Sequence, residues 1–204
     1  MPKQRCFPLE AISVWVGKDK MMSDTSKALR LWVHRQLSEQ TCCSLDLLTP
    51  TQFCEVAWKQ IYGALHEVPR MFQIWAAKQV TEIAAVNTNQ TIRNPSKHIG
   101  PRCPSCNAGE DSPHEVCSHV LYCEEEGRVA SLNCTVDLMS DWLRKVGTQE
   151  NLRKVVVGFA RSRGATSMEN VVWNKGARFQ KLGKSMDVIG WRRFMEGMVS
   201  KEAV

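Results

Sequence analysis

The chain has 204 residues, 43% hydrophobic and 24% charged, with a net charge of +6. That length suits one domain with a sizeable core or two small ones, and the balance is that of a folded globular protein. No run approaches the roughly 18 apolar residues of a membrane helix, and no apolar stretch follows the basic start Met1-Pro2-Lys3, so the sequence predicts no membrane span, no secretory signal, and an intracellular address in nucleus or cytoplasm.

In chain order, Ile12, Val14 and Val16 alternate ahead of the turn-like Gly17-Lys18-Asp19-Lys20, which predicts a short strand or hairpin. Ser23 or Asp24 can cap a helix running to about Gln40, with Leu29, Val33 and Leu37 on its core face. Thr49-Pro50-Thr51-Gln52 is a capping box with proline at the first helical position. It opens a helix carrying Phe53, Val56, Trp58, Ile61 and Leu65, which Pro69 breaks. The next helix carries Met71, Phe72, Trp75, Ala76, Val80 and Ile83, and the polar stretch 87–100 reads as a loop. Beyond the cysteines, Val129, Leu132, Val136, Met139, Trp142, Leu143 and Val146 recur at helical spacing until Gly147. Thr148 can cap a helix with Leu152, Val155, Val156 and Phe159; Thr166 to Glu169 is a second capping box; and Ser185 can start a last helix with Ile189, Trp191, Phe194 and Met198. Apolar stripes at such spacing ordinarily face a core.

These patterns predict a mainly α fold with a short N-terminal β-strand or hairpin and a central zinc-stapled segment. They divide the chain into an N-terminal region 1–100, a zinc-binding segment 101–127 and a basic helical region 128–204.

Nine cysteines is a high number, but it is odd and Cys42 adjoins Cys43, so a complete disulfide framework fits poorly. Four of the nine lie between positions 103 and 123, in the pattern Cys103-x2-Cys106-x12-His119-x3-Cys123 with Cys117 inside it. A Cys-x2-Cys turn puts two thiolates on one metal edge, and His-x3-Cys on one helical turn puts two further ligands on one face. Four protein ligands complete a tetrahedron and leave no place for an activated water, so the expected cofactor is a structural Zn2+. His114 and Cys117 remain alternative ligands. The gap of twelve is that of a Cys2His2 finger with its last His replaced, yet Glu110 stands where such a finger has its core aromatic. The stretch from Pro113 to Cys123 also has no Lys or Arg with which to read bases.

Cys103-Pro104-Ser105-Cys106, an acidic stretch, and Ser118-His119-Val120-Leu121-Tyr122-Cys123 together resemble the reverse-transcriptase zinc-binding region at the C-terminal end of retrotransposon polyproteins. The flanks, from Val68 to Gln79 and from Ile189 to Met198, are similar to the tails of retroelement-derived reading frames in protists. The resemblance covers most of the chain; Cys117 departs from its pattern. It implies a non-catalytic fragment whose partners are upstream polymerase and RNase H domains, or RNA or DNA.

Charge supports the nucleic-acid expectation. Residues 103–152 have 3 basic and 9 acidic side chains, whereas residues 153–204 have 11 and 4. Arg153, Lys154, Arg161, Arg163, Lys175, Arg178, Lys181, Lys184, Arg192 and Arg193 form a candidate phosphate footprint without base readout; Trp173 and Phe179 interleave with them and could stack on bases, although core packing is the more usual job of such residues. An enzyme is not expected. No Asp-Asp dyad suits a polymerase, no His-x-Glu precedes the Cys-x2-Cys as in a zinc deaminase, and nothing in their spacing makes Cys54 and His66 a catalytic pair.

Overall fold

Local side chains cap some helix starts, while distant segments supply or compete for the backbone partners of others. The computed structural model describes residues 15–16, 19–20, 25–97, 100–106 and 111–203, in two compact units, Met1–Phe53 and Cys54–Val204. In the first unit, β1 (Trp15–Val16) pairs antiparallel with β2 (Asp19–Lys20). Apart from two single-residue bridges, this two-residue ladder is the whole of the β structure among the described residues. The expected N-terminal strand is therefore not a structural layer, since two residues a side are too few to form a stable sheet. Ile12, Val14, Gly17, Lys18, Ser23 and Asp24 lie outside the described residues.

Helix α1 spans Thr25–Ser44. Val33 and Leu37, expected on a core face, are exposed. Helix α2 (Pro50–Glu55) opens on the expected capping box: the Thr49 N–H donates to Gln52 Oε1 at 2.9 Å, and the Gln52 N–H donates to Thr49 Oγ1 at 3.2 Å.

In the second unit the single helix expected through Val56 and Trp58 is two, because α2 stops at Glu55 and α3 runs Trp58–His66. Between them the fully buried Val56 forms an antiparallel bridge with Ser200, and the Ala57 N–H donates to the Val199 carbonyl at 2.9 Å. That strand-like pairing takes backbone groups that a continuous helix would need. Pro69 stands at the N-cap of α4 (Arg70–Val80) without a side-chain bond, its carbonyl accepting from the Phe72 and Gln73 N–H groups. The stripe expected in the core is instead largely exposed: Met71, Phe72, Trp75 and Ile83 all face solvent.

The stretch expected as a loop after Val86 contains α5 (Asn87–Arg93). Its N-terminus is held from outside the helix. The Asn87 N–H donates to Glu115 Oε2 at 2.9 Å, and the Thr88 N–H donates to the Glu115 carbonyl at 3.3 Å. A carboxylate at a helix N-terminus satisfies orphan donors and meets the positive end of the dipole.

The remaining helices are α6 (Cys117–Tyr122), α7 (Glu126–Lys145), α8 (Glu150–Arg161), α9 (Met168–Val171), α10 (Ala177–Ile189) and α11 (Trp191–Met195), followed by a 3-10 turn at Lys201–Ala203. Glu125 caps α7 by accepting from the Arg128 N–H, and Gly147, at φ 77°, follows its end. Gln149 rather than Thr148 precedes α8, without a side-chain bond. Ser167 rather than Thr166 caps α9, assisted by Asp187, whose two oxygens accept the Met168 and Glu169 N–H groups at 2.5 and 2.9 Å. The last long helix begins at Ala177, well before Ser185, and Gly190 at φ 86° separates it from α11.

Val136 of α7 packs with Val157 and Ala160 of α8, and Leu132, Met139, Phe194 and Met195 close that cluster. The Phe159 and Phe194 rings lie 5.2 Å apart, and the buried Trp191 Nε1 donates to the Ala160 carbonyl at 3.1 Å.

Helix α10 crosses α9 at Gly183, where a Cβ would lie 2.7 Å from Val172 Cγ2 and 2.8 Å from Glu169 Cα. Gly183→Ala gains about 1 kcal/mol of helix propensity but incurs about 1–3 kcal/mol of overpacking, and the backbone contact makes the second term win. At Gly63 in α3 a Cβ would have nothing within 4 Å, so Gly63→Ala should stabilise by about 0.5–1 kcal/mol. Chemical denaturation of the two variants should give opposite signs; a stabilising Gly183→Ala would show the crossing to be looser than described.

Candidate metal centre

The segment that carries the Cys/His cluster starts as a narrow hairpin. Arg102 bridges His114, the Cys103 N–H donates to the Pro113 carbonyl at 2.9 Å, and the Glu115 N–H donates to the Pro101 carbonyl at 2.8 Å. This pairing fixes where Cys103 leaves the ladder and where the chain enters α6. His119 lies in α6 and Cys123 at its C-terminal cap, with the Cys123 N–H donating to the His119 carbonyl at 2.7 Å. Four residues apart on one helical turn, their side chains fall on the same face.

The result is convergence. The ligand atoms of Cys103, Cys106, His119 and Cys123 all lie within 4.8 Å of one another. Cys106 Sγ is 3.3 Å from His119 Nε2 and 3.5 Å from Cys123 Sγ, and Cys103 Sγ is 4.0 Å from Cys123 Sγ. Tetrahedral coordination, with Zn–S of about 2.3 Å and Zn–N of about 2.0–2.1 Å, sets ligand edges of about 3.8 Å between sulfurs and about 3.6 Å between sulfur and nitrogen. The observed edges scatter around those values. They far exceed the roughly 2.05 Å of a disulfide. The donor set therefore fits a tetrahedral metal ion.

Electrostatics within the cluster agree with this. Burial pushes the Cys103 thiol up, but backbone N–H groups of Ser105 and Cys106, with the thiols of Cys106 and Cys123, outweigh it and hold its pKa below the usual value. Cys106 is pushed up to about 12, by desolvation first and then by the two neighbouring sulfurs. Without a cation the charged form of Cys106 is disfavoured beside the neighbouring sulfurs, and a divalent ion would remove that penalty.

The alternative ligands are elsewhere. Cys117 is buried with Ala84, Val86 and Val120, where burial raises its pKa, and His114 is exposed on the hairpin. Neither belongs to the group of four.

Sequence reasoning missed the frame around the ligands. Glu115 is buried, with Oε1 accepting from Arg128 NH2 at 2.6 Å while Oε2 caps α5. Arg128 Nε donates to Ser105 Oγ at 2.9 Å, inside the Cys-x2-Cys turn. One ion pair thus ties that turn, α5 and the start of α7. The available signal was that Arg128 is the sole Lys or Arg between Arg102 and Arg144, in an otherwise acidic stretch.

Most of the candidate phosphate footprint has partners within the chain, several of them in exposed ion pairs. Arg193 is buried and paired with Glu196 at 2.6 Å, and Arg192 pairs with both Glu82 and Glu196. Lys154 meets Glu150, Arg161 meets Asp137, Lys181 meets Glu202 and Lys184 meets Glu169. Arg153 donates to Ser140, and Arg163 donates to the Cys123 carbonyl. Lys175 and Arg178 are in none of these pairs. Trp173 is 76% exposed beside them in sequence, while Phe179 is half-buried.

Comparison with known protein families, curated proteins and solved structures finds no match. Among the described residues, no helix is long and apolar enough to cross a membrane.

Cys106→Ser should abolish stoichiometric metal binding and loosen the middle of the chain, because binding energy at such a site is folding energy. Cys117→Ser should keep the metal and cost only packing. Metal analysis of both purified proteins checks this; metal lost from Cys117→Ser and kept by Cys106→Ser would reverse the ligand assignment.

Proposed function

We propose that this chain is a non-catalytic zinc-binding module of a retroelement-derived protein, which helps that protein hold RNA or DNA without reading sequence. The observation that carries the zinc reading is the convergence of Cys103, Cys106, His119 and Cys123 at tetrahedral edge lengths. Four protein ligands leave no open coordination position, so the metal's work is structural. It staples the Cys-x2-Cys hairpin to α6, and through Arg128 the hairpin braces α5 and α7. The retroelement origin is supported by the resemblance of residues 103–123 and their flanks.

For nucleic acid, the ion pairs narrow the useful surface to the stretch around Trp173, Lys175 and Arg178. An exposed indole close in sequence to two cations could offer base stacking and phosphate neutralisation together. Contact with so few phosphates is weak. Each contributes about −0.7 to the slope of log affinity against log salt on single strands, so two contacts give an expected slope of about −1.4.

A second reading, docking onto upstream reverse transcriptase or RNase H domains, is favoured by a different observation. Met71, Phe72 and Trp75 of α4 are all more than half exposed. Aromatic and Met side chains held outward on one helix are typical interface anchors.

Titration of single-stranded RNA and DNA against the full chain at several salt concentrations separates the two. Trp173→Ala and the pair Lys175→Glu with Arg178→Glu should each weaken binding on every sequence, and Trp75→Ala should not. Absence of binding by the wild-type chain at low salt would leave docking as the better reading.

A further inference from the structure

Arg163, counted by its charge among the phosphate contacts, sits against the metal centre instead. Its NH2 donates to the Cys123 carbonyl at 2.8 Å, across a separation of 40 residues. The backbone there is unusual: Arg163 has φ 51° and Gly164 φ 78°, so two successive residues in the left-handed region follow α8. A β-carbon-bearing residue rarely adopts that region without a compensating contact. A Cβ at Gly164 would lie 3.4 Å from the Tyr122 ring, so this turn is pressed onto the end of α6. Arg163 Nε is itself buried and has no hydrogen-bond partner in the protein. Three thiolates, a neutral imidazole and a divalent ion carry a net charge of −1, and Cys103 and Cys123 are buried, where water screens poorly.

We propose that Arg163 is a positioning and charge-balancing residue of the metal centre, fixing the backbone of Cys123 and offsetting the net negative charge of the loaded site. This rests on the zinc reading. Cys123 is then held on both sides of its peptide, by its N–H to His119 and by its carbonyl to Arg163. Guanidinium suits the position because it stays protonated when buried and offers several donors in a fixed plane. Outer partners of metal ligands commonly govern affinity in this way.

The test uses the full chain with one equivalent of zinc, a chromogenic chelator as competitor, and cobalt as a spectroscopic substitute. Arg163→Gln should lower zinc affinity about 10- to 100-fold and displace the thiolate-to-cobalt charge-transfer band. Arg163→Lys, which keeps the charge, should lose less. Arg144→Gln, which removes an exposed cation paired with Asp141, should match wild type. A residue that merely caps α6 would change thermal stability equally with and without metal; that pattern with unchanged zinc affinity overturns the proposal. So does an equal loss in Arg144→Gln, which would indicate bulk charge. If circular dichroism shows Arg163→Gln unfolded, Arg163→Lys decides: a fall in affinity with a displaced band upholds the role, and wild-type affinity overturns it. Wild-type chain that takes up no zinc overturns the metal reading and this proposal together, whereas loaded wild type with unaffected variants overturns this proposal alone.

Discussion

A buried carboxylate needs a partner for each of its oxygens, and Glu115 meets that requirement by joining three elements. Oε2 accepts from the first N–H of α5, and Oε1 accepts from Arg128 near the start of α7. Its own backbone belongs to the hairpin that carries Cys103. Removing Arg128 would strand a desolvated charge; that costs about 3–5 kcal/mol for a fully buried pair and less here, where Arg128 is partly exposed. The carboxylate therefore fixes where the cysteine turn stands relative to the helices. The four clustered Cys and His side chains converge on that fixed ground rather than on a free loop.

What the sequence could show follows from distance along the chain. The Thr49–Gln52 capping box forms as read because both partners lie within one turn. The ligand set was legible for the same reason: Cys-x2-Cys and His-x3-Cys are each local, and only their meeting is tertiary. Helix α5 was not legible, because its cap comes from Glu115, 28 residues away. Nor was the break at Val56, which is set by Ser200 near the other end of the unit. The apolar periodicity of Met71, Phe72 and Trp75 was real, but a period identifies a face without saying what covers it.

Charge was the least legible feature. A run of cations reads as a surface for phosphate only if no acid reaches it, and sequence does not show which acids do. Arg192 finds Glu82 at a separation of 110 residues, and Glu196 within its own turn. The result is a network of Glu82, Arg192, Arg193 and Glu196 that links the chain after α4 to α11. Its cations balance nearby acids inside the protein, and the acids come from two parts of the chain. The segment that looked most basic is thereby brought close to electrical neutrality where it packs.

The pairing of Val56 and Ala57 with Val199 and Ser200 bears on the order of folding. Helical proteins usually fold fast because their contacts are local, and closing a long loop is entropically unfavourable until other contacts shorten it. Here α7 and α8 are consecutive and pack directly, so they can associate early. The junction between α2 and α3 has to await the segment around Ser200, far along the chain from it. During translation, then, Val56 and Ala57 lack their backbone partners until residues near position 200 have left the ribosome, which makes the bridge a late-forming clasp on a mostly helical body.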